Sequence, residues 1–416
     1  MIQAMYSGVS GLKAHKIDLD VIGNNIANIN TTGFKAGRVT FREMLSQTLR
    51  GAGAPTTGVG GSNPMQVGLG VGVSAIDLLT NQGSLQATGR PTDMAIEGNG
   101  LFVLGDSSGF FYSRDGSFQV DSDSNLVAAA SGMKVLGWMA DPATGTVDTT
   151  APVLPTSALK VPIGKLGIGK ATSAMSFGGN LDARTETGGQ ISRTAQFYDS
   201  LGVSHPLNLV FEKTADAAKW TYSFYSADAA DPDVPLATGT IVFNDKGQPD
   251  VEEATLSVTF AVPNGATSPQ TLKVSFQSVV QRAGESSIEP SSGDGSPPGT
   301  LETFSIDRNG VIFGNFTNGS IQALGQLAIG TFSNPAGLNR AGSNLMTESP
   351  NSGLPRIGVA GVGSRGNISV GFLESSNVDM ATEFANMIVA QRGFQANSRI
   401  ITAADEILQE LVQLKR

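Results

Sequence analysis

The sequence predicts a mainly β fold with an α-helix at each end, and two antiparallel β domains nested between the helices. Three observations predict it. Apolar residues at helical spacing are confined to the two ends of the 416-residue chain. Between them, short alternating polar and apolar runs are separated by tight-turn sequences. One set of these runs is interrupted by a second set and then resumes, which indicates one domain inserted into another.

The first helix carries an apolar stripe at intervals of three and four residues. Its members are Met5, Val9, Leu12, Leu19 and Ile26. A turn at Asn30-Thr31-Thr32-Gly33 ends the helix near Asn28. We expect this helix to pair with the last forty residues in a coiled-coil-like rod, so that 1–30 and 376–416 form one helical domain.

The second helix is longer and carries a matching stripe. Ser376 and Asp379 predict its start, because a hydroxyl can cap the first turn and a carboxylate favours its positive end. The predicted interface on this helix comprises Phe384, Ile388, Phe394, Ile401, Leu408, Leu411 and Val412. Such a stripe is more often an intramolecular core than an interface between subunits. Its length, its dilution by polar residues and its place at the chain ends favour the interface.

Residues 31–91 lack a clear helix or strand period. The stretch from Gly51 to Gly72 contains eight glycines and is typical of a flexible linker. The alternative is an extended arm laid over neighbouring subunits, and we favour the arm.

Residues 92–170 and 301–375 predict an inner β domain. Asn99-Gly100 separates two strand-like runs and indicates a hairpin between them. In the returning chain, Asp307-Arg308-Asn309-Gly310 is flanked by two further runs that complete the domain.

Residues 171–300 predict an outer β domain, a small sandwich or barrel with one face in water. Six runs of alternating polar and apolar residues lie between 193 and 276. Ser286–Gly299, rich in Ser, Pro and Gly, is expected to be a mobile loop that leads back to the inner domain.

Composition excludes several classes of protein. A net charge of −9 argues against nucleic-acid binding. The absence of cysteine removes disulfides and thiolate sites. We also expect no cleaved signal peptide and no membrane insertion, since no basic n-region with an apolar core and no run of ~20 apolar residues is present.

Three candidate chemical sites are weak. Gly164–Lys170 resembles a phosphate-binding loop, but Ala171 stands where the Ser or Thr that holds magnesium should be. Asp121, Asp123 and Asn125 begin like a calcium loop that lacks its later ligands. Neither His15 nor His205 lies in a setting that suggests an acid beside it. We therefore expect neither an enzyme nor a cofactor or metal site.

Two terminal blocks carry a specific resemblance. The first is Gly23-Asn24-Asn25-Ile26-Ala27-Asn28-Ile29-Asn30-Thr31-Thr32-Gly33-Phe34-Lys35, and the second includes Ala390-Gln391-Arg392-Gly393-Phe394. Both resemble the rod and hook family of bacterial flagellar axial proteins, as do Gly98-Asn99-Gly100-Leu101-Phe102 and Arg114-Asp115-Gly116-Ser117-Phe118. The motif residues are Asn24, Asn25, Asn28, Asn30, Thr32, Gly33, Phe34, Lys35, Gln391, Arg392 and Gly393.

The resemblance implies export by the flagellar type III apparatus and assembly into a helical tube outside the membrane. About 130 residues beyond a single β domain favour a subunit of the curved hook over the distal rod. Implied partners are further copies of the chain, the distal rod protein, the hook cap and the hook-filament junction protein. A secreted β-rich adhesin or carbohydrate-binding module is the alternative of another class.

Overall fold

The computed structural model describes residues 2–55, 57–58, 60–106, 109–142, 144–167, 169–226, 234–250, 255–260 and 265–413. It confirms a mainly β protein with an α-helix near each end. Helix α1 spans Ile2–Ala27 and helix α2 spans Met380–Gln413. The two helices run antiparallel, because Gly8 lies against Ile401 while His15 lies against Gly393.

Helix α2 begins one turn later than the sequence indicates. The carboxylate of Asp379 accepts the N–H of Ala381 and the hydroxyl of Thr382, both at 2.9 Å. The hydroxyl of Ser376 accepts only the N–H of Val378, ahead of the helix, at 3.3 Å. Asp379 is therefore the cap, and the expectation of a Ser376 cap is wrong.

The segment predicted as an arm or linker contains paired strands. β1 (Gly37–Glu43) pairs with β4 (Val71–Leu78), and β2 (Ser46–Arg50) pairs with β3 (Met65–Gly68). Extended strands do run through this segment, but they bond to each other because unpaired backbone groups are unfavourable. The ribbon made by these four strands lies along α1, where the Ser10 hydroxyl accepts the N–H of Val71 at 3.2 Å.

The inner domain is built from two sheets and two short strand pairs. The larger sheet holds β7 (Leu101–Asp106), β8 (Gly109–Ser113), β9 (Phe118–Val120), β10 (Leu126–Ala128), β11 (Lys134–Val135), β24 (Ile329–Thr331), β25 (Asn339–Gly342), β26 (Leu345–Thr347) and β27 (Arg356–Gly358). The smaller sheet holds β12 (Gly137–Met139), β21 (Leu301–Ile306), β22 (Val311–Phe316) and β23 (Ile321–Leu327). The pairs are β5 (Leu85–Ala87) with β29 (Phe372–Glu374) and β6 (Met94–Glu97) with β28 (Asn367–Val370).

The returning chain shares the inner core with the outgoing chain. Ile329 of β24 lies opposite Phe102 of β7, and both side chains are fully buried. Leu327 and Ile312 join the same cluster. Two stretches about 200 residues apart in sequence therefore fold around one core.

The hairpin expected across Asn99-Gly100 is absent from the described chain. β6 pairs with β28, whereas β7 pairs with β8, β11 and β24. The connection instead wraps around Arg114, whose guanidinium donates to the carbonyls of Ile96, Gly98 and Gly100. The two strands diverge because their connecting carbonyls point inward to one cation.

The outer domain is a sandwich of two four-stranded sheets. One has the order β14 (Gln190–Tyr198), β15 (Ser204–Lys213), β16 (Lys219–Ser226), β17 (Ala237–Val242); the other has β18 (Thr255–Phe260), β19 (Gln270–Arg282), β13 (Ala174–Asp182), β20 (Glu289–Gly293). Alternate residues of β16, namely Trp220, Tyr222 and Phe224, point into the shared core. Pairing is antiparallel except between β13 and β19, which run parallel.

The predicted mobile loop, Ser286–Gly299, includes strand β20 and firm contacts. Asp294 accepts the N–H of Ser173 at 2.8 Å and that of Ala174 at 2.9 Å. The outgoing and returning connections between the two domains also pair with each other, at Leu166 with Thr300 and at Lys170 with Ser296.

Candidate assembly site

The terminal helices meet along a line of small residues. A Cβ added to Gly11 would lie 2.6 Å from Nδ2 of Asn397, and one added to Gly393 would lie 2.6 Å from Nε2 of His15. Ala390 is buried on the same line. Small side chains let the two backbones approach closely, so the contact depends on shape more than on large apolar groups.

Only part of each predicted apolar stripe lies in the seam between the two helices. On α1, Met5, Leu12, Leu19 and Ile26 are half-buried and Val9 is exposed. On α2, Ile401 and Leu408 are half-buried, whereas Phe384, Ile388 and Phe394 are 47%, 54% and 39% exposed. The side chains of Leu411 and Val412 lie outside the described residues. The exposed members therefore lie outside the seam between the two helices, and a role of the whole set at an interface between subunits stays a prediction.

An apolar surface is consequently left uncovered at the helical end of the chain. It combines the outward faces of the helices with the ribbon. Its exposed members on the helices are Tyr6, Val9, Ile17, Met380, Phe384, Ile388, Val389, Phe394, Ile400 and Ile407, and on the ribbon Phe41, Met44, Leu45, Leu49, Met65, Val67 and Ile76. An isolated chain with so many exposed apolar residues in one region is suited to covering them with a partner.

The first motif folds into a junction with the inner domain. Asn25 exchanges two hydrogen bonds with the backbone of Gly37, at 2.8 and 3.0 Å, which turn the chain from α1 into the ribbon. The Thr32 hydroxyl donates to Oδ1 of Asp115 at 3.0 Å. The side-chain amide of Asn344 donates to the carbonyl of Thr32 at 2.9 Å.

Phe34 is held between the junction and the returning chain. The Arg340 guanidinium lies over its ring, 5.1 Å from the centroid, and also donates to the carbonyl of Lys35 at 2.5 Å. A cation over an aromatic face is attractive, and burial of Phe34 excludes the water that would weaken the attraction.

Glu374 lies at the centre of the junction between two buried cations. Its Oε1 accepts from Nζ of Lys35 at 2.6 Å, and its Oε2 accepts from Nε of Arg114. The exposed fractions of Lys35, Arg114 and Glu374 are 6%, 5% and 1%. The N–H of Gly83 also donates to Oε1, at 2.8 Å. One carboxylate therefore joins the N-terminal motif, the inner domain and the approach to α2.

Burial and neighbouring charges shift the pKa values of the ionisable groups in this junction. Burial acts to raise the pKa of Glu374, but the Arg114 charge and the Lys35 hydrogen bond outweigh it and hold the pKa below its usual range. Burial lowers the pKa of Lys35, against the opposing effect of Glu374. The carboxylate therefore remains ionised beside its two cations.

Asn377 completes the junction immediately before α2. Its Oδ1 accepts the N–H of Ala36 at 2.8 Å, and its Nδ2 donates to the carbonyls of Leu79 and Asn81 at 2.9 and 3.1 Å. Sequence reasoning assigned no role to Asn377 or Glu374. One available signal was the single acid that ends the apolar run Phe372–Glu374.

Four other motif residues lie on the surface of the chain. Asn24, Asn30, Gln391 and Arg392 are exposed, and in the described part of the chain their side chains form no hydrogen bond or ion pair. Asn28 accepts the hydroxyl of Thr31 at 3.1 Å and so belongs to the turn that ends α1. The motif thus divides into residues that build the junction and residues that remain on the surface.

His205 differs from the expectation drawn from the sequence. It is buried, its Nε2 lies 2.9 Å from Oδ2 of Asp199, and its ring stacks on Phe197 at 5.2 Å. An acid therefore does lie beside it, across the β14–β15 turn. The other oxygen of Asp199 accepts the N–H groups of Leu201 and Val203, so the arrangement holds a turn.

The calcium-loop and phosphate-loop candidates belong to an ordinary turn and to the approach to a strand. Asp121 accepts the side-chain and backbone N–H groups of Asn125 at 2.9 and 2.7 Å, which closes a turn. The residues after Lys170 enter strand β13 and not the helix that a phosphate loop needs. Among the described residues, neither helix contains a stretch apolar and long enough to cross a membrane.

Comparisons with known families match about two thirds of the chain, in four parts. The matching family descriptions are flagella basal body rod protein (residues 5–35), flagellar hook protein FlgE/F/G D1 domain (95–169), flagellar basal body protein FlaE D2 domain (170–296) and flagellar basal body rod FlgEFG protein C-terminal (369–414).

Full-length relatives agree with these matches. Flagellar hook protein FlgE of Borreliella burgdorferi is 39% identical, with 100% of each chain covered. That of Salmonella typhimurium is 37% identical, with 98% of each covered. The flagellar basal-body rod protein FlgG of Bacillus subtilis is 31% identical, again with 100% of each covered. On these matches, which extend from the first motif to the closing helix, the chain belongs to the flagellar hook protein family.

Proposed function

We propose that this hook structural subunit assembles with many further copies into a curved helical tube, a universal joint that transmits torque from rod to filament. The family is structural and not enzymatic. The observation that carries the proposal is the uncovered apolar surface at the helical end, which an isolated chain cannot bury. One contact repeated head to tail without closing produces an open helical polymer.

The arrangement of the domains supports a specific layout of the tube. The terminal helices would line the inside and leave a central channel for exported subunits, while the outer domains would meet around the surface. In the described part of the chain, the two connections between the β domains pair with each other, at Leu166 with Thr300 and at Lys170 with Ser296. Their glycines, with the ribbon, would absorb the shear that bending requires.

The proposed neighbours follow from a position between rod and filament. They are the distal rod protein at one end, the hook cap during growth, and the hook-filament junction protein at the other end. Delivery would be by the flagellar type III export apparatus, to a site outside the membrane. The exposed Asn24, Asn30, Gln391 and Arg392 are the motif residues available for such contacts.

We predict that Ile388→Asp abolishes polymer formation and leaves the free chain folded. Ile388 is 54% exposed on the side of α2 that turns away from α1. A carboxylate placed in an apolar contact costs several kcal/mol, and each ~1.4 kcal/mol is a tenfold rise in the concentration needed for assembly. Electron microscopy after salt-induced assembly measures the polymer, and circular dichroism measures the fold.

Ile388→Leu is the matched control and should polymerise like the parent chain. Equal polymerisation of Ile388→Asp and Ile388→Leu would contradict a subunit contact on this face. Straight tubes from the parent chain would favour the rod role suggested by the Bacillus relative. A folded monomer that never polymerises, even when seeded on hook fragments, would favour the adhesin.

A further inference from the structure

Two carboxylates lie on the seam between α1 and α2. Asp18 on α1 and Glu383 on α2 are both half-buried there. Glu383 hydrogen-bonds Asn25, whose amide is already engaged with the backbone of Gly37. Oε2 of Glu383 is buried and, among the described residues, has no hydrogen-bond partner. The negative charge of a carboxylate in this position is therefore poorly compensated.

Among the described residues, few charged groups act on these two acids. His15 lies one turn before Asp18 on α1, and Asp379 lies one turn before Glu383 on α2. In the described part of the chain neither Asp18 nor Glu383 forms an ion pair with Lys or Arg. In the described part of this seam, Asp18, Asp379 and Glu383 are acids and His15 is the one opposing group, so negative charge predominates.

The pKa values of both acids are raised at this position. Burial raises the pKa of Asp18, partly opposed by His15. Burial raises the pKa of Glu383, and the charges of Asp18 and Asp379 raise it further against the hydrogen bond from Asn25. An acid whose pKa is raised by pairing binds its proton more tightly in the paired state. Pairing is therefore favoured as pH falls and weakened as pH rises through the raised pKa.

We propose that the ionisation of Asp18 and Glu383 controls how firmly the terminal helices pair, so that neutral pH loosens the seam and acid closes it. Both acids belong to a single chain, so the effect does not depend on polymerisation. It gives the free subunit a terminal pair that is held back from full pairing by its own charges. Neutralising one acid closes the seam without a change of shape.

The test uses hydrogen exchange of the full chain, below the concentration at which it polymerises. Protection factors, which already correct for the effect of pH on intrinsic exchange, are measured for α1 and α2 amides at about pH 5 and about pH 7.5. We expect protection of the parent chain to be severalfold higher at the lower pH, because the buried carboxylates lose their charge there. Glu383→Gln should show the higher protection at both values.

Glu406→Gln is the matched control, since it is the same substitution on an exposed face of the same helix. It should keep the pH dependence of the parent chain. Asp18→Asn is a second variant and should also flatten that dependence. A parent chain whose protection does not change with pH would overturn the proposal. So would a Glu383→Gln chain that retains the parent's pH dependence, whether or not any of these chains forms tubes.

Discussion

Replacing Glu374 with alanine is expected to destabilise the chain by about 3–5 kcal/mol, the range found when one partner of a buried ion pair is removed. Lys35 and Arg114 would then remain buried without their carboxylate. The loss should be local at first. The first motif and the start of α2 should detach from the inner domain, while the outer sandwich keeps its own core.

The size of the effect follows from the number of segments that one carboxylate joins. Lys35 belongs to the turn after α1, Arg114 to the turn after β8, and Glu374 to the strand before α2. The carbonyl of Glu374 also accepts the N–H of Gly33 at 2.8 Å. Removal of the side chain therefore leaves two buried cations without an opposite charge and the N–H of Gly83 without its acceptor.

Limited proteolysis and denaturant unfolding would measure this loss. The expected result is early cleavage between α1 and the inner domain, together with a lower unfolding midpoint. Glu302→Ala is the control, because Glu302 is an exposed carboxylate on β21 of the same domain. If Glu374→Ala and Glu302→Ala unfold alike, the buried junction is not what holds the terminal segments.

The same carboxylate predicts sensitivity to acid. The pKa of Glu374 in the folded chain lies below its usual value, since Arg114 and Lys35 outweigh burial. A lowered pKa means that the contribution to stability is complete above the ordinary carboxyl pKa and is lost as pH falls through the folded value. The junction should therefore weaken in strong acid, whereas the seam between the helices strengthens in mild acid. Across a series of pH values, the stability of the junction and the stability of the helix seam should therefore change in opposite directions.

The helix seam and the Glu374 junction also show what the sequence could and could not predict. Periodicity located both terminal helices within a few residues, because apolar spacing is a local property of the chain. It did not identify which side of α2 faces α1. Ile388 is as apolar as a seam residue, but the small Gly393 and Ala390 allow closer packing and take the contact. The shape of the two helix surfaces therefore determines which residues form the seam, and apolar spacing in the sequence does not describe that shape.

The junction could not be predicted for a different reason. Glu374 is 339 residues from Lys35 and 260 from Arg114, so no local pattern connects them. At Asn99-Gly100 the opposite happens, because a local pattern predicts a hairpin that a distant residue prevents. The dipeptide is a strong local hairpin signal, but the distant Arg114 attracts the carbonyls on either side of it and separates the strands. The motif residues near α1 were found by resemblance, and their partners only by structure.

The second large effect is expected for Gly33→Ala. Gly33 has φ of +67°, a conformation that costs an ordinary L-residue about 1–2 kcal/mol. A Cβ there would also lie 2.6 Å from the backbone nitrogen of Asp115 and 2.7 Å from the carbonyl carbon of Arg114. Backbone atoms cannot swing aside as a flexible side chain can. The added methyl must therefore push the first motif away from the turn that carries Arg114.

We expect Gly33→Ala to cost about 2–4 kcal/mol in total, from backbone strain and overpacking together. Differential scanning calorimetry of the unassembled chain measures it. Gly23→Ala is the matched control, because it is the same substitution inside α1 with no atom within 4 Å of the new Cβ. It should be neutral or stabilise α1 by about 0.5–1 kcal/mol, since alanine loses less backbone entropy than glycine in a helix. Equal effects of the two substitutions would mean that the first motif does not pack against Arg114 and Asp115, and that the glycine in the motif serves the turn alone.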